Sequence, residues 1–362
     1  MIELRQGDVD AFFAVPFAVY DASVGYVSPM RGDVRRMLDP ERNPLLSAGN
    51  PHRFWTVHRD GRPVGRVVAV RHDPSNARHG TRRMQFGFLD VADDPQAARA
   101  LLGAVEAFAR THGCDEVAGN FNLTAMQQAG VMTGGFGAQA YTDMLVGPAH
   151  LPRLLEENGY ERFFPMTTFT LDLAGAQVAG LRAVPEGYDF LPITRRDFPE
   201  RMEQARAVLN DGFADNPMFV PLTREEFAFQ AGEMSAILDP RLSSILVHDG
   251  RPVGVIVCIP DLNGFLAATG SRIGWRTPFH FLRHRLRRRR AVIIFYSVVR
   301  DAHGHGLMGG MLHRLVETLR TAGYRDLGIT WIADRNAASL RQMARLGARP
   351  LHRLHLFRKV LA

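Results

Sequence analysis

A glycine-rich turn between a predicted strand and a predicted helix is the segment of this sequence best suited to chemistry. The apolar run 293–299 leads through Arg300 into His303-Gly304-His305-Gly306, and an amphipathic segment begins at Leu307. A strand, a glycine-rich turn and a helix in this order expose successive backbone N–H groups at a helix N-terminus. The turn therefore predicts a site that binds a phosphate group of a ligand.

The elements that position this turn belong to a chain of ordinary globular composition. Its 362 residues exceed the size at which a single core usually stops growing, which favours two domains. The two cysteines, Cys114 and Cys258, lie in apolar stretches and form no metal-ligand pattern, so we expect no metal site and a reducing, cytoplasmic compartment. Residues 1–8 contain acids where a signal peptide needs basic residues, and no apolar run approaches ~18 residues, so we expect neither export nor a membrane span.

An internal repeat indicates the architecture. Residues 60–70 (DGRPVGRVVAV) reappear as residues 249–259 (DGRPVGVIVCI), each with an Asp-Gly turn between apolar runs, which is typical of a β-hairpin. Leu-Asp-Pro precedes both copies, and both are followed by a helix that ends in Arg-Thr-x-Gly. The common order of these matches predicts a tandem duplication.

Each repeat predicts a mixed α/β sheet with helices on its faces. The longest helices are predicted at 95–112 and 307–322, where apolar residues recur at helical spacing. Glycine and alanine interrupt the pattern at 173–184, which predicts the linker. We therefore expect two domains, called here the first unit (1–175) and the second unit (183–362).

The glycine-rich turn resembles the pyrophosphate loop of the GNAT acyltransferase superfamily, which follows the pattern Q/R-x-x-G-x-G/A. His303 stands at the Q/R position and Gly306 at the central glycine, while Met308 replaces the small residue and is followed by Gly309. Residues 334–348 resemble the later motif N-x-x-A-x-x-L-Y-x-K-x-G-F of the same superfamily. Nearly the whole chain is similar to bacterial tandem-GNAT proteins, to which the bacterial ceramide synthases are related.

This resemblance implies a tandem duplication of the GNAT fold and a second unit that binds acyl-CoA as donor. It also implies that a backbone amide around Val298 or Val299 stabilises the oxyanion. The residues implied to bind the donor are Val298, Val299, Arg300, His303, Gly304, His305, Gly306, Leu307, Met308, Gly309 and Asn336.

The first unit lacks these features at the equivalent junction. Residues 86–95 contain Asp90, Asp93 and Asp94 but no glycine-rich turn, and these acids would repel a pyrophosphate. We therefore expect the first unit to be degenerate for CoA. Asn120 and Asn122, further along this unit, either contact substrate or serve a loop.

Candidate catalytic residues follow from what acyl transfer to an amine requires. The resemblance implies a tyrosine that protonates the leaving thiolate, but Met343 occupies its position, so Tyr296, Tyr324 or a water replaces it or the thiolate leaves unassisted. Asp261 and Asn263 leave a hairpin strand and are candidates for the base; a simple turn after proline explains them equally well.

An arginine-rich segment at 275–290 joins aromatic and aliphatic residues to arginines over the length of a helix. This composition is typical of an interfacial membrane segment and would give peripheral contact with the inner membrane face, whereas a solvated basic face packed on the sheet is the alternative. We do not expect nucleic-acid binding, because no helix-turn-helix or single-strand platform is present.

The predicted function is an acyl-CoA-dependent N-acyltransferase that acylates a primary amine, with a long-chain, sphingoid-type lipid amine as the refinement that the resemblance implies. Two alternatives remain open: acetylation of a small-molecule amine, and a non-catalytic protein that binds or senses acyl-CoA.

Overall fold

The computed structural model of the protein describes residues 1–47, 49–123, 128–232 and 234–361. Its strands are β1 (Ile2–Gln6), β2 (His52–Arg59), β3 (Arg62–Val70), β4 (Arg83–Val91), β5 (Glu116–Gly119), β6 (Val131–Gly134), β7 (Glu161–Asp172), β8 (Tyr188–Pro192), β9 (Ser244–His248), β10 (Arg251–Pro260), β11 (Arg290–Val298), β12 (Asp326–Ala333) and β13 (Arg349–Val360). Its helices are α1 (Val9–Val19), α2 (Arg31–Met37), α3 (Pro44–Ser47), α4 (Asp73–His79), α5 (Pro95–Thr111), α6 (His150–Glu157), α7 (Phe198–Gly212), α8 (Arg224–Ala231), α9 (Met234–Ile237), α10 (Asn263–Thr269), α11 (Thr277–Arg287), α12 (Leu307–Thr321) and α13 (Ala337–Leu346).

The two predicted hairpins are confirmed as β2–β3 and β9–β10. In each turn both central residues have positive φ, with values of 50° and 78° at Asp60 and Gly61 and of 48° and 74° at Asp249 and Gly250. A two-residue hairpin turn of this type needs φ above zero at both positions, and Asp-Gly adopts it at low cost. The repeated sequence therefore produces the same local structure twice.

Helices cover both faces of the sheet in the first unit. Val67 and Ala69 of β3 pack in one hydrophobic cluster with the apolar residues of α5, whereas Val68 and Val70 pack with α1. Successive strand residues point to opposite faces, so α1 and α5 lie on opposite sides of β3. The predicted mixed α/β architecture is confirmed.

The predicted long helices are confirmed as α5 and α12, and each buries its apolar stripe. The buried residues recur at helical spacing; they are Ala98, Leu101, Leu102, Val105 and Phe108 in α5, and Leu307, Met311, Leu312, Leu315 and Leu319 in α12. α5 follows β4, which pairs with the parallel strand β5, and α12 follows β11, which pairs with the parallel strand β12. Both helices consequently begin at the edge where a ligand site is predicted.

The strands form one continuous sheet in the order β1-β2-β3-β4-β5-β13-β7-β12-β11-β10-β9-β8, with β6 paired to β13. The last strand of each unit therefore crosses into the other: β7 pairs with β12, and β13 pairs with β5. The two exchanged strands also pair with each other. The predicted boundary at 175–183 lies in the connection from β7 to β8, but the sheet does not divide there.

Candidate functional site

The site begins where two parallel strands of the second unit separate. β11 and β12 pair from Arg290↔Asp326 to Ile293↔Ile329 and then diverge, while the end of β12 continues to pair with β7. The gap opens into a cavity of about 310 Å³. Its apolar wall comprises Phe213, Pro217, Phe219, Ile294, Phe295, Ile329, Trp331, Ile332 and Ala333, and its polar wall includes Asp215, Asn216, Tyr296, His303, Thr330, Arg335, Asn336 and Ser339.

The glycine-rich turn lies beside this cavity at the start of α12. Gly304 and Gly306 have φ of 85° and 77°, and a Cβ at either position would meet open space. The glycines are therefore required by backbone conformation and not by crowding. Gly306 is the N-cap residue, no side chain caps the helix, and His303 borders the cavity with Nε2 3.2 Å from the Val298 carbonyl oxygen. The open N-terminus can bind an anion.

The residues just before the turn require one correction to the predicted donor site. The amide of Val299 donates to the Val253 carbonyl 2.9 Å away, so it is not available to an oxyanion. Val298 is buried in the strand end. The backbone N–H of Arg300 donates to Asp211 at 2.6 Å, and its guanidinium group lies 3.5 Å from the same carboxylate, which holds Arg300 on α7.

The remaining turn residues divide between solvent and core. His305 is exposed, Met308 is half-buried, and Leu307 is 1% exposed. A Cβ on Gly310 would lie 2.7 Å from the Val184 backbone nitrogen. Gly310 thus serves the packing of the β7–β8 connection on α12, and the buried Gly309 beside it contacts Leu181 of the same connection.

Tyr296 brings a hydroxyl group to the cavity wall. Its oxygen is buried and has no hydrogen-bond partner among the residues that the structure describes. Burial raises the pKa of Tyr296 to about 12, and the nearby Ser339 hydroxyl offsets part of the increase. Asn336 caps α13 by accepting from the Ser339 amide at 3.1 Å. Met343 of the same helix is fully buried and offers no proton to the cavity.

Asp261 and Asn263 lie away from the cavity, at the junction of the two units. The Asp261 carboxylate accepts from the backbone N–H and hydroxyl of Thr142, both at 3.0 Å, and pairs with Arg290 at 3.2 Å. Asn263 donates to the Ala140 carbonyl at 3.2 Å. The structure does not bring these two residues together with Tyr296, and their contacts are those of a structural joint.

The sequence analysis missed the segment that borders the cavity opposite the two strands. Residues 212–219 follow α7 and contribute Phe213, Pro217 and Phe219 to the wall. Arg335 also borders the cavity, is exposed, and has no carboxylate partner among the described residues. Neither feature carries a motif, although an Asn-Pro pair at 216–217 marks the turn.

Comparison with known proteins agrees with this geometry. Residues 208–348, which contain β11, the turn, α12, β12 and α13, match the Acetyltransferase (GNAT) family. The chain carries a GNAT domain. The matched residues lie within the second unit and include all residues that line the cavity, together with the uncapped helix α12.

Two curated proteins resemble the chain along most of its length. Protein YghO of Escherichia coli is 28% identical over 380 residues, covering 98% of this chain and 94% of that protein. The bacterial ceramide synthase of Caulobacter vibrioides is 25% identical over 277 residues, covering 74% of this chain and 72% of the synthase.

Solved structures extend the GNAT fold to the whole chain. A tandem GNAT protein from the clavulanic acid biosynthesis pathway superposes with a TM-score of 0.60 at 16% identity and covers 99% of this chain and 98% of its own. A GCN5-related N-acetyltransferase from Sphaerobacter thermophilus superposes with a TM-score of 0.56 at 14% identity, covering 99% and 95%. The predicted tandem GNAT fold is confirmed.

The corresponding gap in the first GNAT-like unit is filled by the chain itself. β4 and β5 pair over an equivalent four-residue register, from Arg83↔Glu116 to Phe86↔Gly119. The side-chain oxygen of Asn122 then accepts from the Phe88 amide at 2.7 Å, and that of Asn120 accepts from the Leu89 amide at 3.1 Å. Asn120 and Asn122 therefore close the gap from within.

The helix that follows in the first unit is closed as well. Asp94 caps α5 by accepting from the amides of Gln96 and Ala97 at 3.0 and 3.1 Å, and Arg59 neutralises its carboxylate at 2.6 Å. A side-chain carboxylate thus occupies the position where α12 leaves its amides free.

No group of three or more His, Cys, Asp or Glu side chains within the described residues is arranged to hold a metal ion. None of the helices in this part of the chain combines the length and apolarity needed to cross a bilayer.

Proposed function

We propose that this protein is an acyl-CoA-dependent N-acyltransferase whose donor site is the open gap of the second unit. The observation that carries the proposal is the cavity between β11 and β12 together with the uncapped N-terminus of α12 beside it. A backbone anion site next to a cavity with both apolar and polar lining residues matches a donor that joins a pyrophosphate to a pantetheine arm and an acyl chain.

The donor's pyrophosphate would bind the amides around Gly304, Gly306 and Leu307, with His303, His305 and Asn336 at the border. The pantetheine arm would enter between the separated strands. Tyr296 occupies the register position of Leu89, whose amide binds Asn120 in the first unit. Because the Val299 amide bonds to β10, alternation along β11 turns the amides of Val298 and Tyr296 toward the gap, and we propose these two as the carbonyl-binding amides in place of Val299.

The reaction requires the amine nitrogen to attack the thioester carbonyl carbon, after which the carbon–sulfur bond breaks and the amine loses a proton. Tyr296 is protonated at physiological pH, as an ordinary tyrosine is, and burial raises the pKa of its hydroxyl group further, to about 12. It can donate a hydrogen bond to the charge that develops on oxygen or sulfur. The amine proton would leave through water, because Asp261 and Asn263 are committed to the junction.

The wall of the cavity supports a long acyl chain and a lipid-like acceptor. Phe213, Phe219 and Trp331 contribute large aromatic surfaces to it. A relative over most of the chain is a bacterial ceramide synthase. We propose a long-chain, sphingoid-type amine as the acceptor, which would place the protein in the cytoplasm at the inner membrane face. Acetylation of a small amine is the competing proposal.

The experiment is release of free thiol from acyl-CoAs of increasing chain length, each with sphinganine, with a short alkylamine, or without amine. Release that needs both a long-chain donor and sphinganine supports the proposal. Release with acetyl-CoA and the short amine alone favours the competing one. Binding of CoA without thiol release from any pair of acyl-CoA and amine would indicate a sensor. The observation that motivates this alternative is the buried Met343 at the family's tyrosine position. Absence of CoA binding would contradict all three.

A further inference from the structure

The second unit contains an insertion that the first unit lacks. In the first unit α4 ends at His79 and β4 begins at Arg83, whereas in the second unit α10 ends at Thr269 and β11 begins at Arg290. Residues 270–289, which we call the insertion, fill this difference and contain α11. The first unit forms the same fold without such a segment, so the insertion can have a role of its own.

The insertion exposes a row of large apolar side chains. The exposed fractions are 85% for Ile273, 77% for Trp275, 68% for Phe279, 56% for Leu282 and 78% for Leu286. Phe279, Leu282 and Leu286 lie in α11 at spacings of three and four residues, so they share one face of the helix, and Ile273 and Trp275 precede it. None of these five side chains belongs to a hydrophobic cluster of the described residues, although the Arg276 guanidinium group lies 4.6 Å from the centre of the Trp275 ring. Apolar side chains of this size are rarely exposed together.

The opposite face of α11 packs on the protein and fixes the direction of the row. Phe281 contacts Phe265 edge-to-face at 5.5 Å between ring centroids, and His284 lies 6.3 Å from the same ring. At the start of the insertion the Ser271 hydroxyl donates to the Ser28 carbonyl at 2.6 Å, and the Ser271 carbonyl accepts from the Arg31 amide at 2.8 Å. Both units hold the insertion in place.

The flanks of the apolar row are strongly basic. Residues 271–290 contain eight arginines and no aspartate or glutamate. Arg288 and Arg290 are paired with Asp239 and Asp261. The exposed Arg283, Arg285, Arg287 and Arg289 have no carboxylate partner within the described ranges.

We propose that the apolar row and its arginines are a docking surface for an anionic lipid bilayer. The inference rests on the proposed function for the lipid nature of the acceptor. A helix that lies in the membrane interface needs aromatic and aliphatic side chains on one face and cations beside them. A second copy of the chain is disfavoured as occupant, because a two-fold contact through this row would bring two sets of arginines together.

The docking surface and the pyrophosphate site lie at opposite ends of one strand. β11 begins next to the insertion at Arg290 and ends near the turn at Val298. Eight steps of ~3.3 Å separate these residues by about 26 Å. The water-soluble head of the donor would thus face away from the bilayer while the cavity lies between the two.

The test is co-sedimentation with vesicles of phosphatidylcholine alone and of phosphatidylcholine with phosphatidylglycerol, in the absence of donor and amine. We expect binding only to the anionic vesicles and a blue shift in the fluorescence of Trp275. Phe279→Ser with Leu286→Ser should lower binding about 100-fold. Arg283→Glu with Arg287→Glu should lower it at least about 25-fold, and high salt should weaken binding of the unaltered protein.

One matched control is Arg62→Glu with Arg99→Glu, which changes the net charge by the same amount at exposed arginines of the first unit. The other is Phe136→Ser, which removes an aromatic side chain that is 42% exposed. Both should bind vesicles normally. Normal binding by the insertion variants would overturn the proposal. So would a dimer that Phe279→Ser with Leu286→Ser dissociates, or DNA binding in place of vesicle binding. If vesicles bind while no acyl-CoA and amine pair releases thiol, the proposed function fails and the docking surface stands.

Discussion

The two strand gaps of this molecule share a register but differ in what occupies them. In the first unit Asn120 and Asn122 bind the strand amides and Asp94 binds the helix amides. In the second unit the equivalent gap is a cavity of about 310 Å³ and the helix has no side-chain cap. Polar side chains, together with the Phe121 backbone that packs on Gly87, therefore narrow in the first unit a gap that can admit a ligand in the second.

The difference also has a thermodynamic meaning. Backbone N–H groups that are buried without a partner cost free energy, so a gap that admits no ligand is stabilised by internal acceptors. The amides at the helix N-terminus of the second unit are instead left to solvent or to a bound anion, which the helix dipole favours. We expect ligand binding to raise the stability of the second unit more than that of the first.

The largest expected effect comes from Gly306→Glu. The new carboxylate would lie at the N-terminus of α12, where it repels a pyrophosphate. The glutamate residue would also have to adopt the left-handed backbone φ of 77°, which is unfavourable for a residue with a side chain. We expect CoA affinity to fall at least about 100-fold, measured by isothermal titration calorimetry. Asp94→Gly at the equivalent helix of the first unit should leave CoA affinity unchanged, and equal losses from both changes would contradict a single donor site.

Tyr296→Phe should affect turnover instead of binding. Loss of a hydrogen-bond donor to developing charge typically lowers kcat about 100-fold, and we expect CoA affinity to change little, because the ring remains in the wall. The unaltered enzyme should lose no activity through Tyr296 ionisation below about pH 11, because the pKa of this hydroxyl is raised to about 12. An unchanged kcat in the variant would exclude Tyr296 from the reaction.

Asn122→Ala tests the internal filling of the first unit. It removes the acceptor of the Phe88 amide and the partner of the Asn120 side-chain amide, at 2.7 and 2.9 Å. Two orphaned buried donors should lower the free energy of unfolding by about 2–4 kcal/mol, measured by urea denaturation. The number of CoA molecules bound per chain should stay the same. No change in stability would mean that the gap is closed by packing alone.

Local signals were predictable from the sequence, and long-range pairings were not. The Asp-Gly hairpins and the stripes of α5 and α12 depend on neighbours within a few residues, so pattern analysis finds them. The exchange of β7 and β13 depends on strands paired across nearly two hundred positions, such as Arg358 with Glu161. The side-chain pattern of a strand reflects the face that it covers and not the neighbour that it joins, so the sequence of β7 or β13 does not specify this pairing.

The site shows the same limit. The turn at 303–306 was visible as a motif because backbone conformation demands glycine there. The roles of Asp261 and Asn122 depend on which donors approach them from other parts of the chain, namely the Thr142 and Phe88 amides. Residue type alone does not separate a base from a structural acceptor, since a carboxylate or amide oxygen serves in both.

The smallest expected effect lies at the exchanged strands, which join the two units. His352 of β13 is 1% exposed, and its Nδ1 lies 3.1 Å from the Thr168 hydroxyl of β7. Burial lowers the pKa of His352, partly offset by its contact with the Ala138 carbonyl. The unfolded chain therefore binds a proton that the folded chain resists, and stability should fall as pH drops below about 6.5, by at most ~1.4 kcal/mol per pH unit from this group.

His352→Gln removes that proton uptake while it can keep a hydrogen bond to the Ala138 carbonyl. Urea denaturation at a series of pH values should show a shallower acid slope in the variant than in the unaltered protein, even if the variant is less stable throughout. Parallel slopes would mean that the exchanged strands are insensitive to His352. The acid lability would then arise from other buried histidines, such as His72, whose pKa is also lowered by burial.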